Sequence, residues 1–313
     1  MNRPLTGIVP PMITPMRGRD ELDAAGLERL VEHMLDGGVG GLFVLGTTGE
    51  GPSLSYRLRR ELVERVCRQV RGRVPVLVGI TDTAFVEALT LARFAADAGA
   101  QAVVAAPPYY LPGAQPELQE YLHHLVPELP LPLFLYNMPA LTKVSFELET
   151  VRAAMDDPRV VGLKDSSGDM AYFRSAVALL PQRPDWSLLV GPEEHLMDAL
   201  LAGGHGGVCG GANLFPTLYV GLFEACRAGD LSRARELHAQ VLRVGDALYR
   251  IGRHPSSFIK GVKCALSCLG VCDDFMAEPF HRFRADERAL VEQRLEPLYA
   301  DITALRLHRG EGA

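Results

Sequence analysis

Short apolar runs alternate with amphipathic segments over about the first 210 residues of the chain, and this alternation limits the folds that it can adopt. The runs lack a regular apolar–polar alternation, as expected of strands in a parallel sheet that is covered on both faces. Eight such strands with intervening helices predict an α/β protein with a (β/α)8 barrel, and a doubly wound parallel sheet is the alternative. The predicted strands are Ile8–Ile13, Gly41–Leu45, Pro75–Gly79, Ala102–Ala105, Leu133–Tyr136, Val160–Lys164, Leu188–Gly191 and Gly206–Cys209.

The segments between these runs have helical periodicity. The first is followed by Gly37, a residue that commonly ends helices, and its apolar stripe consists of Leu27, Leu30, Val31, Met34 and Leu35. Similar patterns predict helices around residues 58–70 and over Thr83–Ala98.

Beyond Cys209 the pattern changes to helices alone, predicted over 216–228, 231–250, 256–269 and 286–307. No low-complexity linker separates these helices from the preceding strands. We therefore predict two regions: a barrel over residues 1–215 that carries the active site, and a helical extension over residues 216–313 that packs on it.

Charge and composition argue against several kinds of binding partner and indicate the cellular compartment. The net charge is −6 and no basic cluster stands out, which argues against nucleic acid or an anionic membrane surface. Six cysteines are too few for a disulfide scaffold in a chain of 313 residues, and they fit a reducing compartment. Four prolines interrupt the apolar N-terminus, and no apolar run approaches the roughly 20 residues of a membrane span. We expect a cytoplasmic protein.

Unusual polar residues follow six of the eight predicted strands. Because the βα loops of such a barrel meet at one mouth, these residues are expected to lie together there. They are GTTGEG at 46–51, PPYY at 107–110, YNMP at 136–139, Lys164, GPEE at 191–194 and GGAN at 210–213.

Each motif also has an interpretation without catalysis. Lys164 fits a rim lysine paired with Asp165, and Tyr110 fits ordinary packing. Glu193 and Glu194 follow Pro192 and fit acidic residues of a first helical turn.

A metal site is not expected. Cys264, Cys268 and Cys272 recur at every fourth residue, which indicates one face of a helix rather than a metal cluster. No CxxC pair or neighbouring histidine supports a metal.

The ordered motifs GTTGE, YNMP and GLKDSSGD resemble those of the dihydrodipicolinate synthase / N-acetylneuraminate lyase family. The resemblance extends from about Gly7 to about Phe280. It implies a class I, pyruvate-dependent lyase on a (β/α)8 barrel with C-terminal helices, which forms a covalent imine and needs no other cofactor.

By this resemblance, Lys164 forms the imine with a 2-oxo acid such as pyruvate, and Tyr136 transfers protons. A lysine at the barrel mouth loses hydration, which favours the neutral, nucleophilic amine. Thr48 and Tyr110 match a proton relay whose tyrosine crosses a subunit interface, which implies a homo-oligomer, a dimer or tetramer. Thr47 and Thr48 match the site for the 2-oxo acid's carboxylate.

The remaining site residues concern the choice of substrate. By the same resemblance, the synthase branch needs an arginine at the position of Leu141, to bind the carboxylate of its second substrate, aspartate semialdehyde. The aliphatic side chain of Leu141 cannot form that bidentate contact. Glu193 and Glu194 match positions that hold substrate hydroxyls in the sialic acid lyase, and Ser166 matches a threonine hydroxyl there. Gly210 stands where that lyase has a serine, which disfavours sialic acid itself. Gly191 and Val208 complete the expected substrate-binding set.

The preferred hypothesis is an aldolase that cleaves a 2-keto-3-deoxy sugar acid, or a related 4-hydroxy-2-oxo acid, into pyruvate and an aldehyde. A dehydratase that uses the same imine and the 4-hydroxy-tetrahydrodipicolinate synthase are the alternatives. A barrel that binds a keto acid without catalysis is the hypothesis from another functional class.

Overall fold

A computed structural model describes residues 4–307, so the predicted regions extend outside it at 1–3 and 308–313. Eight parallel strands form one sheet. The two edges of the sheet meet where the segment after the first strand pairs with the strand that contains Phe43. Met12 N donates to Phe43 O at 2.8 Å and Phe43 N donates to Pro10 O at 3.0 Å, so the sheet closes into a barrel. The barrel prediction is confirmed, and the doubly wound alternative is wrong. The strands are β1 Gly7–Ile8, β4 Leu42–Val44, β5 Val76–Gly79, β6 Ala102–Ala105, β7 Leu133–Asn137, β8 Val160–Asp165, β9 Ser187–Val190 and β10 Gly206–Gly207. Their order in the sheet is β1-β10-β9-β8-β7-β6-β5-β4.

The first and last barrel strands are shorter than predicted. The expected strand Ile8–Ile13 contains Pro10 and Pro11, which have no backbone N–H to donate to a ladder, so the regular pairing ends at Ile8. A short antiparallel hairpin that was not predicted, β2 Met16–Gly18 with β3 Glu21–Leu22, follows before the first helix.

Helices cover the outside of the barrel. Side-chain caps begin several of them: Asp23 accepts from Gly26 N, Ser55 from Leu58 N, and Asp169 from Ala171 N and Tyr172 N. The barrel helices are α1 Ala24–Asp36, α2 Tyr56–Val70, α3 Phe85–Asp97, α4 Gln115–Glu128, α5 Pro139–Thr142, α6 Leu148–Met155, α7 Met170–Val177 and α8 Leu196–Leu201.

The C-terminal extension consists of α9 Pro216–Ala228, α10 Leu231–Val244, α11 Ser257–Cys268 and α12 Ala285–Leu307. The predicted helix 231–250 differs in its last part, where Gly245–Tyr249 forms a π-helical turn. The three cysteines do not share one helix, because α11 ends at Cys268 and Cys272 lies beyond it. Within residues 4–307, no helix has the length and apolar character needed to cross a membrane.

Two apolar clusters fill the molecule. One lies inside the barrel and includes Phe43, Phe134 and Val208, and the other lies between strands and helices. The outer cluster continues from the barrel into the extension, where Val241 and Leu295 belong to it. The boundary at 215/216 therefore stays a prediction.

Candidate active site

A cavity of about 570 Å³ opens at the carboxyl ends of the barrel strands. It brings together nine of the predicted site residues: Thr47, Thr48, Tyr136, Lys164, Ser166, Gly191, Glu193, Glu194 and Val208. The extension contributes to the same cavity with Val241, Leu242, Gly245, Asp246, Tyr249, Arg250 and Phe258.

Strand register places the lysine beside the tyrosine. Tyr136 in β7 pairs with Lys164 in β8, so both side chains end at the same level of the barrel. Lys164 Nζ lies 3.9 Å from the centroid of the Tyr136 ring and 4.9 Å from that of Phe43. Lys164 is 5% exposed and Tyr136 is 6% exposed. The amine therefore lies against aromatic rings and out of bulk solvent.

The next register pair locks these two strand ends together. Asn137 pairs with Asp165, and Asn137 Nδ2 donates to Asp165 Oδ1 at 2.9 Å. Asp165 also accepts hydrogen bonds from Ser167 N and Ser167 Oγ. Burial raises the pKa of the Asp165 carboxyl despite these bonds. The Asp165 carboxylate is thus engaged with Asn137 and Ser167, and it is not the ion-pair partner of Lys164 that the rim-lysine interpretation requires.

The Tyr136 phenol has the electrostatic surroundings of a proton carrier. Burial would raise its pKa, but the charge of Lys164 and hydrogen bonds with Thr47, Lys164 and Ser166 outweigh burial, so the pKa lies below its usual range. The Thr47 hydroxyl lies 3.2 Å from the phenol oxygen. The phenol can therefore give up its proton more readily than a free tyrosine.

The loop that carries Thr47 and Thr48 is fixed by a buried ion pair. Glu50, in the same loop, has a left-handed backbone conformation with φ 55°. Its Oε1 lies 2.6 Å from Lys263 Nζ of α11, and both side chains are 0% exposed. Glu50 Oε2 accepts from Ala277 N at 2.8 Å, and Lys263 Nζ also donates to Phe275 O at 2.6 Å. The extension therefore holds a loop of the barrel in place.

Glycine at position 191 leaves room for Ser166. A Cβ at position 191 would lie 1.9 Å from Ser166 Oγ, and the Gly191 N–H donates to Asp165 O at 2.7 Å. The Ser166 hydroxyl keeps its place beside Tyr136 because no side chain occupies that space.

The extension leaves no room for a side chain at position 210. A Cβ at this position would lie 2.3 Å from Cζ of Phe258, whose ring packs edge-on against Tyr249 at 4.6 Å between centroids. We expect Gly210→Ser and Gly210→Ala to lower the free energy of unfolding by about 1–3 kcal/mol, because the added atoms overpack this contact. Urea denaturation measures the loss, and adding Phe258→Ala should recover part of it. A Gly210→Ser protein as stable as the original would contradict this steric explanation.

Glu193 has protein partners at both carboxylate oxygens. Its Oε1 accepts from Tyr219 Oη at 2.5 Å and from Tyr249 Oη at 2.7 Å, and its Oε2 accepts from Gly211 N at 2.8 Å. Burial raises its pKa, and the three hydrogen bonds oppose that effect. Glu194 is exposed at the mouth of the cavity. The two adjacent acids therefore have different surroundings, although the same role, binding of substrate hydroxyls, was predicted for both.

Tyr110 and Leu141 lie outside this cavity. Tyr110 is 78% exposed with φ 80°, and Leu141 is 52% exposed. Their roles in a relay and in substrate choice stay predictions.

The extension supplies site residues that sequence reasoning missed. Asp246, Tyr249, Arg250 and Phe258 line the cavity, and no local motif marks them. Phe43 lies beside Lys164 from a strand that was predicted for its apolar character alone. In the part of the chain that the structure describes, no group of three or more histidine, cysteine or acidic side chains is arranged to hold a metal ion.

Comparisons with known proteins cover most of the chain. A model of the dihydrodipicolinate synthetase family matches residues 4–298. Over 268 residues the chain is 34% identical to the probable 2-dehydro-3-deoxy-D-pentonate aldolase YjhH of Escherichia coli (strain K12), a match that covers 85% of this chain and 88% of that relative.

Two solved structures have the same architecture. Dihydrodipicolinate synthase from Bacteroides thetaiotaomicron superposes with a TM-score of 0.93 and 52% identity, covering 95% of this chain and 100% of that one. YagE of E. coli K12, a prophage protein of the dihydrodipicolinic acid synthase family in complex with pyruvate, has a TM-score of 0.88 and 30% identity, covering 95% and 99%.

Proposed function

Because the chain belongs to the dihydrodipicolinate synthetase family, we propose that it is a lyase that cleaves a 2-keto-3-deoxy sugar acid, or a related 4-hydroxy-2-oxo acid, into pyruvate and an aldehyde. The observation that carries this proposal is the buried amine of Lys164 beside the Tyr136 phenol, whose pKa is lowered. Two relatives support it, since YjhH is named as a probable pentonate aldolase and YagE was solved with pyruvate, whereas the name of the Bacteroides thetaiotaomicron structure fits the synthase alternative.

The reaction begins at Lys164. The Tyr136 phenolate takes a proton from the Lys164 ammonium, and the amine then adds to the C2 ketone of the substrate. The Tyr136 phenol gives this proton to the hydroxyl of the adduct, so water departs, a protonated imine is left on Lys164 and Tyr136 is again a phenolate. Tyr136 as phenolate removes the proton from the C4 hydroxyl, the C3–C4 bond breaks, and its electron pair enters the imine to form an enamine. The aldehyde leaves, C3 takes the proton that Tyr136 now carries, and water hydrolyses the protonated imine to pyruvate and the Lys164 ammonium. The imine is the electron sink, so the chemistry uses no separate cofactor.

Thr47 and Thr48 are proposed to bind the carboxylate at C1. Their hydroxyl and backbone N–H groups can donate to an anion without adding a positive charge beside Lys164. The Glu50–Lys263 pair supports this role, because it fixes the loop to which both threonines belong.

An aldolase fits position 141 better than the synthase does. Leu141 is half-exposed and aliphatic, so it cannot form the bidentate contact with a second carboxylate that an arginine makes. A dehydratase remains the second candidate, because β-elimination uses the same imine and the same proton carrier.

A cytoplasmic homo-oligomer, a dimer or tetramer, is also proposed. Tyr110 and the neighbouring Leu111 are each 78% exposed in the single chain. Their exposure suits contact with a second copy, in which Tyr110 can extend the Thr48 relay across the interface.

Reductive trapping tests the proposed function. The sequence contains four lysines, Lys143, Lys164, Lys260 and Lys263, so a borohydride-reduced pyruvate adduct is readily mapped by mass spectrometry. We expect the adduct on Lys164, together with pyruvate release from a panel of 4-hydroxy-2-oxo acids in an assay coupled to lactate dehydrogenase. An adduct without any pyruvate release would exclude the aldolase. Formation of the dihydrodipicolinate precursor from pyruvate and aspartate semialdehyde would instead indicate the synthase.

Tyr136→Phe is expected to slow pyruvate release by about a hundredfold or more, because it removes the proton carrier and leaves the amine. Borohydride trapping with pyruvate should persist. In the unsubstituted protein kcat should rise with pH, since the phenolate is the active form, and the apparent pKa should lie below the value of about 10 for a free phenol. Tyr136→Phe should lose this rise. Full activity in Tyr136→Phe would remove the phenol from the mechanism.

A further inference from the structure

The mouth of the cavity is built by the extension. Its wall includes the end of α10 and the π-helical turn Gly245–Tyr249, and Arg250 follows that turn. A π-helical turn within a helical segment is rare and frequently lies at a functional site. The wall therefore has a feature that barrel packing alone does not require.

Glu193 anchors this wall rather than offering its carboxylate to a substrate. It accepts hydrogen bonds from Tyr219 of α9 and from Tyr249 of the π-helical turn, and its second oxygen accepts from Gly211 N. Tyr249 in turn packs against Phe258 of α11. A substrate hydroxyl that bound Glu193 would have to compete with these bonds, so recognition of distal hydroxyls falls to other residues.

Asp246 and Arg250 are exposed charged groups at the mouth, and Glu194 lines the same cavity from the barrel side. Asp246 Oδ1 lies 3.2 Å from Arg250 Nη1, and the two side chains are 68% and 81% exposed. Lys164, by contrast, is buried in the same cavity. The pair therefore lies at the open end, where the part of a substrate furthest from its ketone would reach.

The chemistry of this pair suits hydroxyl groups. A hydroxyl both donates and accepts, so it can donate to the Asp246 carboxylate and accept from the Arg250 guanidinium. The positive charge of Arg250 is offset by Asp246, and Glu194 adds a further negative charge. This combination disfavours a second carboxylate or a phosphate at the end of the substrate. A cavity of about 570 Å³ also falls in the range of about 300–1,000 Å³ that encloses ligands larger than pyruvate.

We infer that Asp246 and Arg250 form a distal subsite that selects an uncharged polyhydroxy chain on the aldehyde part of the substrate. This inference rests on the proposed function and makes it more specific. Selection by length and hydroxyl content is assigned to the extension, whereas the bond-breaking groups belong to the barrel.

Two substrates of different length test the inference. A six-carbon 2-keto-3-deoxy sugar acid carries hydroxyl groups beyond C4 for the subsite to bind, and the four-carbon 4-hydroxy-2-oxobutanoate carries none. We expect the protein to prefer the six-carbon acid in kcat/KM. In Asp246→Asn and in Arg250→Gln this preference should fall about tenfold, mainly through a higher KM for the six-carbon acid, because a hydrogen bond to a charged group is lost.

The matched control is the ion pair that joins α10 to α12. Arg243 Nη2 lies 2.8 Å from Asp301 Oδ2, both side chains are about half-exposed, and neither residue lines the cavity. Arg243→Gln should leave the substrate preference as it is.

The outcomes separate the subsite from the proposed function. Equal losses on both substrates, an unaltered preference, or a preference for a six-carbon acid with a second, terminal carboxylate would each overturn the subsite. In all three cases the unsubstituted protein still releases pyruvate, so the proposed function stands. If it releases pyruvate from neither substrate, the proposed function and the subsite both fail.

Discussion

Replacing Lys164 by alanine or methionine should abolish pyruvate release and the borohydride adduct without loss of the fold. None of the other three lysines lines the cavity, since Lys260 and Lys263 belong to α11 and Lys143 is exposed outside it. Within residues 4–307 no salt bridge includes Lys164, so its removal leaves no acidic partner unpaired. Thermal unfolding of Lys164→Met, which keeps the length of the side chain, should therefore show a melting temperature that does not fall, whereas Lys164→Ala leaves a cavity beside Phe43 and Tyr136 and should lower it.

The same substitutions have a second, independent consequence at Tyr136. Burial acts to raise the pKa of this phenol, and the charge of Lys164 is the largest opposing cause. Without that charge, the pKa of Tyr136 should rise, which ultraviolet titration of the phenolate can measure. Lys143→Ala is the matched control and should retain the adduct, turnover and phenol titration. Turnover in Lys164→Met, or an adduct on another lysine, would contradict the assignment.

Breaking the ion pair between Glu50 and Lys263 should cause the largest loss of stability. Both side chains are 0% exposed, so either substitution leaves a buried charge without its partner. We expect Glu50→Gln and Lys263→Met each to lower the free energy of unfolding by about 3–5 kcal/mol, measured by urea denaturation. The double variant should lose less than the sum, since neither charge remains.

The pair should also affect binding of the 2-oxo acid. When the loop with Thr47 and Thr48 loosens, trapping should require a higher pyruvate concentration. The exposed pair Arg93–Glu128, with atoms 3.3 Å apart, provides the control, and Arg93→Gln should cost less than about 1 kcal/mol. Additive losses in the double variant would show that Glu50 and Lys263 act separately.

The barrel and its buried site residues could be predicted because the patterns that indicate them lie within short stretches of the sequence. Uniformly apolar runs indicate buried parallel strands, and Tyr136 and Lys164 end two adjacent ones, so strand register alone brings them together. The same logic places Asn137 beside Asp165, although their mutual hydrogen bond was not predicted. The geometry agrees with the proposed chemistry, and the roles of these residues await the experiments.

The mouth could not be predicted, because it depends on contacts distant in sequence. Nothing around residue 193 indicates that its carboxylate binds Tyr219 and Tyr249, and the helical periodicity of 231–250 hides the π-helical turn. Regular cysteine spacing likewise suggested one helix where α11 stops at Cys268. In each case tertiary packing decides the outcome.

The ion pair that fixes the threonine loop joins residues 213 positions apart. A ribosome makes the chain from its N-terminus, so Lys164 emerges well before Lys263. Until α11 has been synthesised, the nascent polypeptide carries its nucleophile without a fixed pocket for the acid that the nucleophile attacks. The ability to bind the 2-oxo acid is therefore acquired late in translation. Products of premature termination that lack α11 should contain the reactive lysine and yet capture pyruvate poorly.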